Sequence, residues 1–291
     1  MGLFFSSDRF TRPGPGVRPD APRKKGVARL AEIMGRDMWN FFRAGFLAFL
    51  GCLPFIIGMF FAVETHALLF MLLAGIIGGL IAGPELSAMA DTVLRSLRDE
   101  PGYWWETYRR VWKRNARESL VPGMLTGLVL SMQIFTLFHM SVISAGIVTW
   151  VLLILSFVVT LGLESYIWPQ IALLDLPLYG ILKNSLLLFL GYLPRSLGAI
   201  AIKAVYWGAI LLFFPLTTII LPFTNFWLPM LPALLCVYQP LNKCFTIEST
   251  INKMREDELN AALAKDNEPL PEDPTEKAEA SSDDSSSDDV Q

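Results

Sequence analysis

The run Gly102–Met140 reads GYWWETYRRVWKRNARES and then LVPGMLTGLVLSMQIFTLFHM. Its first part holds three tryptophans, two tyrosines, four arginines and a lysine. Its second part, Leu120–Met140, has no Asp, Glu, Lys or Arg. About 20 apolar residues at ~1.5 Å each are enough to cross the hydrocarbon core of a bilayer. This piece of chain therefore predicts a transmembrane helix entered from a basic, aromatic lead.

The same pattern recurs on either side. Apolar runs at Phe41–Val63, Ala67–Ala82 (continuing through GPELSAMA), Val142–Trp168, Ser196–Leu221 and Thr224–Phe245 are each read as spans. Pro54 is expected to kink the first, and three prolines the last. Pro169–Arg195 is read as a short interfacial, re-entrant or spanning helix. Composition agrees: 53% of the 291 residues are hydrophobic, 18% are charged, and mean hydropathy is +0.45. A soluble protein needs charge on every exposed face, whereas here the charges are clumped.

Lys and Arg set the orientation. Nine lie in the N-terminal arm through Arg43, seven follow the second span, and Lys183 and Arg195 follow the fourth. The remaining loops between spans have none. The predicted fold is thus an all-α polytopic membrane helix bundle of about six transmembrane helices, with both termini cytoplasmic. Residues 1–36 are expected to be a flexible basic arm and 37–245 the transmembrane domain. Residues 246–265 are expected to form a short soluble helix, and 266–291 a disordered acidic tail. About 40 polar and basic residues precede the first apolar run, which is not the layout of a cleavable signal peptide.

At 100° per residue, Trp104, Trp105, Tyr108, Val111 and Trp112 share one side of a helix over about 103–119. Arg109, Arg110, Lys113, Arg114 and Arg117 share the other. Such a helix on the cytoplasmic side reads first as an interfacial anchor on anionic headgroups. The second reading is a docking surface for a protein partner. Nucleic acid is not an expected partner.

Other candidate residues are fewer. Glu164 and Lys203 lie inside apolar spans, where a charge must be paired, wetted or near the interface. They are read as a possible intramembrane polar pair. Gly83, Pro84 and Glu85 read as a helix break beside a carboxylate, an arrangement found at transporter sites. Gly75, Gly78 and Gly79 suit close helix packing. Cys52, Cys236 and Cys244 make no C-x-x-C pair, and His66 and His139 are far apart in sequence. No G-x-S-x-G, H-E-x-x-H or Walker A pattern occurs, so neither enzyme chemistry nor a metal or other cofactor is expected.

The segment GPELSAMADTVLRSLRDEPGYWWETYRRVWKRNARESLVPG resembles the core of the DUF624 (YesL-like) bacterial membrane proteins. The resemblance rests on Leu53 and Pro54, Gly83 and Pro84, Ala88 and the Asp99–Gly102 linker. It continues through Trp105, Tyr108, Arg109, Trp112, Lys113 and Asn115, and in the second half through Lys183, Asn184, Leu193 and Pro194. Unlike that family, this chain places 29 residues between Pro54 and Pro84. The resemblance implies a bacterial cytoplasmic membrane protein with an accessory role beside a carbohydrate importer of the ABC type. The expected function is an accessory, scaffold or regulatory component of a membrane transport system, and the rival is a stand-alone small-solute transporter or channel. The sequence sets no oligomeric state.

Overall fold

The computed structural model describes residues 23–100, 102–142 and 146–266. Six helices among them are long and apolar enough to cross a membrane, and the chain is an all-α polytopic helix bundle. It divides into a body ending at Cys244 and a C-terminal unit from Phe245. In the latter, helix α8 (Ile247–Asp266) runs for 20 residues. The acidic tail beyond Asp266 lies outside the described residues.

Helix α1 (Gly26–Thr65) has 40 residues. At ~1.5 Å per residue this is about twice the thickness of a hydrocarbon core, so a long part stands outside it. The boundary expected at residue 36 is therefore corrected: residues 26–36 are helical. The reason is local, since Arg29, Ile33, Phe41 and Ala44 fall on one buried face and give this stretch something to pack against. Residues 1–22 of the arm lie outside the described residues.

Helix α2 (Leu68–Leu97) contains a π-helical turn at Ala74–Gly78. Helix α3 (Trp104–Phe138) is continuous over 35 residues. The aromatic and basic lead is thus the first part of the third spanning helix, not a separate helix lying on the membrane. Nothing between them breaks the helix, because Pro122 is accommodated within it. Helix α4 (Ile147–Leu173) begins and ends about five residues later than expected. Helix α5 (Leu178–Gly191) has 14 residues, too few to span. Helix α6 (Leu193–Leu212) stops well before Leu221, and a short turn at Leu221–Thr224 leads into α7 (Trp227–Phe245).

The tightest packing joins α2 to α3. Gly75, Gly79 and Gly83 face Ser119, Gly123, Gly127 and Ser131, all at four-residue spacing. A Cβ on Gly127 would lie 2.5 Å from the Gly75 carbonyl and 2.8 Å from Gly79 Cα. Lipid tails are as apolar as leucine, so close backbone approach rather than water exclusion holds such a seam together. Gly78, on another face of α2, would place a Cβ 2.6 Å from Phe55 Cα of α1. A small apolar core of Met59, Ala62, Met71 and Ala74 closes the end of the bundle near the α1–α2 turn.

Candidate functional site at the basic end

The C-termini of α2 and α4 lie at the basic end of the bundle, and arginines of neighbouring segments cap both. Arg36 donates to the Ser96 carbonyl at 2.8 Å, Arg29 to Leu97 at 3.1 Å and Arg23 to Arg98 at 3.2 Å. Arg114 of α3 donates to the Ala172 carbonyl near the end of α4 at 2.8 Å. Terminal carbonyls lack intrahelical donors and carry the negative end of the macrodipole, so guanidinium groups satisfy both needs.

Asp99 follows α2 in a left-handed conformation, φ 60°. Its carboxylate meets Arg29 at 2.6 Å, Arg23 at 3.2 Å and also Arg36. Partial burial opposes ionisation, but hydrogen bonds from Arg36 and Arg29 outweigh it and hold the carboxyl below its ordinary range. Arg98 pairs with Glu100 at 2.8 Å, and Arg95 with Asp91 at 2.7 Å. Charge counting along the sequence marks these arginines for orientation only and does not single out Asp99 as their hub. A seven-residue spacing of Arg29, Arg36 and Arg43 along α1 was the available signal.

The expected two-faced helix is partly rearranged by packing. Tyr108, Val111, Asn115 and Ser119 are buried, so part of the aromatic side packs against protein. Trp104 stacks near Tyr108 at 5.4 Å and lies beneath the Arg43 guanidinium at 5.6 Å. Trp105 remains 57% exposed. Arg109, Arg110, Lys113 and Arg117 are exposed, whereas Arg114 reaches back to α4 and to the Asn115 side chain. Asn115 donates to Ser87 at 2.9 Å.

Gly83, Pro84 and Glu85 do not break α2, which is helical through them. At this point Gly83 packs directly on the Ser119 backbone of α3. Glu85 instead joins two of the sequence's candidate groups. Tyr108 donates to one carboxylate oxygen at 2.5 Å and Trp112 Nε1 to the other at 2.9 Å. Gly51 makes room for it: a Cβ there would lie 2.6 Å from Glu85 Cγ.

Glu164 and Lys203 do not form a direct pair, as no ion pair within 4 Å joins them. Lys203 is buried and points its ammonium to the Leu161 carbonyl at 3.4 Å, one turn before Glu164. They remain within electrostatic reach of each other. Cys52 of α1 is within reach of both Glu164 and Glu85.

Two recesses open at the basic end. One of about 60 Å³ is lined by Asn40, Thr92, Arg95, Glu100, Trp104 and Tyr108, and has room for water rather than a sugar. The buried Trp104 N–H has no partner. A larger cleft of about 320 Å³ sets Arg117, Glu118 and Asp175 beside Val121 and Leu178. Among the described residues no group of three or more metal-binding side chains gathers. Compared with known proteins, the chain matches no family model, no curated protein and no solved structure.

Proposed function

We propose that this integral membrane protein is a non-enzymatic accessory, scaffold or regulatory component of a membrane transport system. In this reading it sits in the bacterial cytoplasmic membrane with both termini in the cytoplasm. Its basic end then meets anionic headgroups and a neighbouring membrane protein, for which a permease of the ABC-importer type is the proposed partner. The carbohydrate connection and the DUF624 (YesL-like) relationship rest on the sequence resemblance alone.

The observation that carries the reading is how the interior polar groups are used. Asn115 bonds Ser87, Gln133 bonds Thr160, Gln170 bonds Ser185 and Tyr166 bonds Ser196, all between 2.8 and 2.9 Å. Hydrogen bonds between side chains of different helices hold a bundle together. Exposed charge lies on Arg109, Lys113 and Arg117, the last of which lines the amphipathic cleft. Aromatic and arginine residues side by side are the usual anchors of protein interfaces.

The test is purification in mild detergent with mass spectrometry of bound proteins and lipids. A transport-system permease should co-purify, and reversing Arg109, Lys113 and Arg117 to glutamate should release it. Recovery of the bare protein together with solute flux in liposomes would reverse the ranking. That rival, a small-solute transporter or channel, is favoured by one feature: Glu85, Cys52, Glu164 and Lys203 follow one another across four helices, each within electrostatic reach of the next. Orientation is read separately. A cysteine placed at Lys113 should react with a membrane-impermeant reagent only after cells are opened.

A further inference from the structure

The chain has two histidines, and they touch. His66 ends α1 in a left-handed conformation, φ 53°. His139 ends α3 and is 6% exposed. His66 Nδ1 lies 2.7 Å from His139 Nε2, and His139 Nδ1 lies 2.8 Å from the Phe135 carbonyl. The His139 ring also stacks on Phe135 with centroids 4.0 Å apart.

The hydrogen bonds assign the protons. A carbonyl oxygen only accepts, so His139 Nδ1 carries a hydrogen. In the neutral ring its Nε2 then holds a lone pair and accepts from His66 Nδ1–H. His66 Nε2 is left as the remaining basic site. A first proton taken there keeps the bond and makes its donor cationic. A second proton, on His139 Nε2, sets two N–H groups against each other and breaks it.

The surroundings leave this pair to itself. Glu64, two residues before His66 on α1, is exposed. Residues 68–84 of α2, 119–138 of α3 and 146–163 of α4 contain no Asp, Glu, Lys or Arg. Among the described residues, Glu64 is thus the carboxylate positioned to favour the cationic forms, and no neighbouring cation opposes them. Beneath the pair lies the small core of Met59, Ala62, Met71 and Ala74, with Phe135 and the π-helical turn of α2 against it. π-helical turns recur at functional positions in helices.

We propose that His66 and His139 form a proton-operated latch at the end of the bundle opposite the arginine cluster. Closed, it ties the α1–α2 turn to the end of α3. Double protonation opens it and frees both helix ends above the small core. Histidine is the side chain whose ordinary titration falls in the physiological range, which suits this role. The latch follows from contacts within the bundle; only the compartment whose pH it senses rests on the orientation proposed above.

The test uses the full chain in detergent, where both ends meet the same pH. With ring-15N histidine labelling, His139 should carry its proton on Nδ1 at pH 8, and the two rings should protonate in two separate steps. Hydrogen-exchange protection of residues 60–67 and 134–142, corrected for the intrinsic pH dependence, should fall roughly tenfold across the second step. His139→Phe keeps the stacking ring, and His66→Ala removes the partner; either should abolish the pH dependence while the α2–α3 seam stays protected. Unchanged protection from pH 8 to 5, or the same fall in His66→Ala, would overturn the latch. Ring shifts produced at pH 8 by equimolar Zn²⁺ alone would overturn it too, making the pair a metal site. In liposomes, acid applied on one side should act only from the side opposite Lys113; action from the other side would refute the orientation and leave the latch standing.

Discussion

Arg29 and Asp99 stand 70 residues apart in the chain and meet at 2.6 Å, a buried guanidinium against a carboxylate that closes the C-terminus of α2. The same Arg29 nitrogen donates to the Leu97 carbonyl. One side chain therefore ties the cytoplasm-facing extension proposed for α1 to the last turn of α2. Removing Asp99 leaves Arg29 with Glu32 and a backbone carbonyl alone.

Asp99→Asn should lower stability by about 1–3 kcal/mol, because a mostly buried cation loses its closest counter-charge. Arg29→Ala should cost at least as much, since it also frees a helix-terminal carbonyl. Thermal unfolding of the detergent-solubilised protein measures both.

The Asp99 carboxyl is held below its ordinary range by its arginines, so its folded-state pKa lies beneath the unfolded one. The resulting stability is fully present above about pH 4 and is lost as pH falls through the folded value. In acid, unfolding of the wild type should converge on that of Asp99→Asn. A constant gap between them down to pH 2 would show that ionisation of Asp99 contributes nothing.

Gly123→Leu should prevent folding or cost well over about 3 kcal/mol, because its side chain would have to enter the Gly83 backbone. Gly208→Ala, where a Cβ meets nothing within 4 Å, should stabilise by about 0.5–1 kcal/mol through helix propensity. Yield of monodisperse protein and its melting temperature separate the two outcomes. Equal effects would contradict the α2–α3 seam.

Tyr108→Phe should cost about 1–2 kcal/mol by taking a hydrogen bond from a half-buried carboxylate. Glu85→Gln should cost less, as an amide oxygen still accepts from Tyr108 or Trp112. A larger loss in Glu85→Gln than in Tyr108→Phe would point to a need for the charge itself. Melting temperatures of the two variants decide it.

The sequence alone determined that this is a membrane helix bundle, because the spans are set by a composition that water does not accept and lipid does. It also marked Gly75, Gly78 and Gly79 for close helix packing, while their partners on α3, Gly123 and Gly127 among them, came only from the structure. Lys and Arg counts gave one basic end, a property of the chain read as a line. Helix continuity was less legible: Pro84 and Pro122 carry the local signal of a break, yet α2 and α3 run on through them. Tertiary structure alone decided which charges meet. Asp99 gathers Arg23, Arg29 and Arg36, Glu85 takes Tyr108 and Trp112, and His66 finds His139, all across separations that no periodicity encodes. Glu164 and Lys203, read as a possible pair, make no direct ion pair, and the ammonium points to the Leu161 carbonyl. A pattern along one chain fixes which faces are apolar; which polar groups share a dry interior depends on how several faces come together.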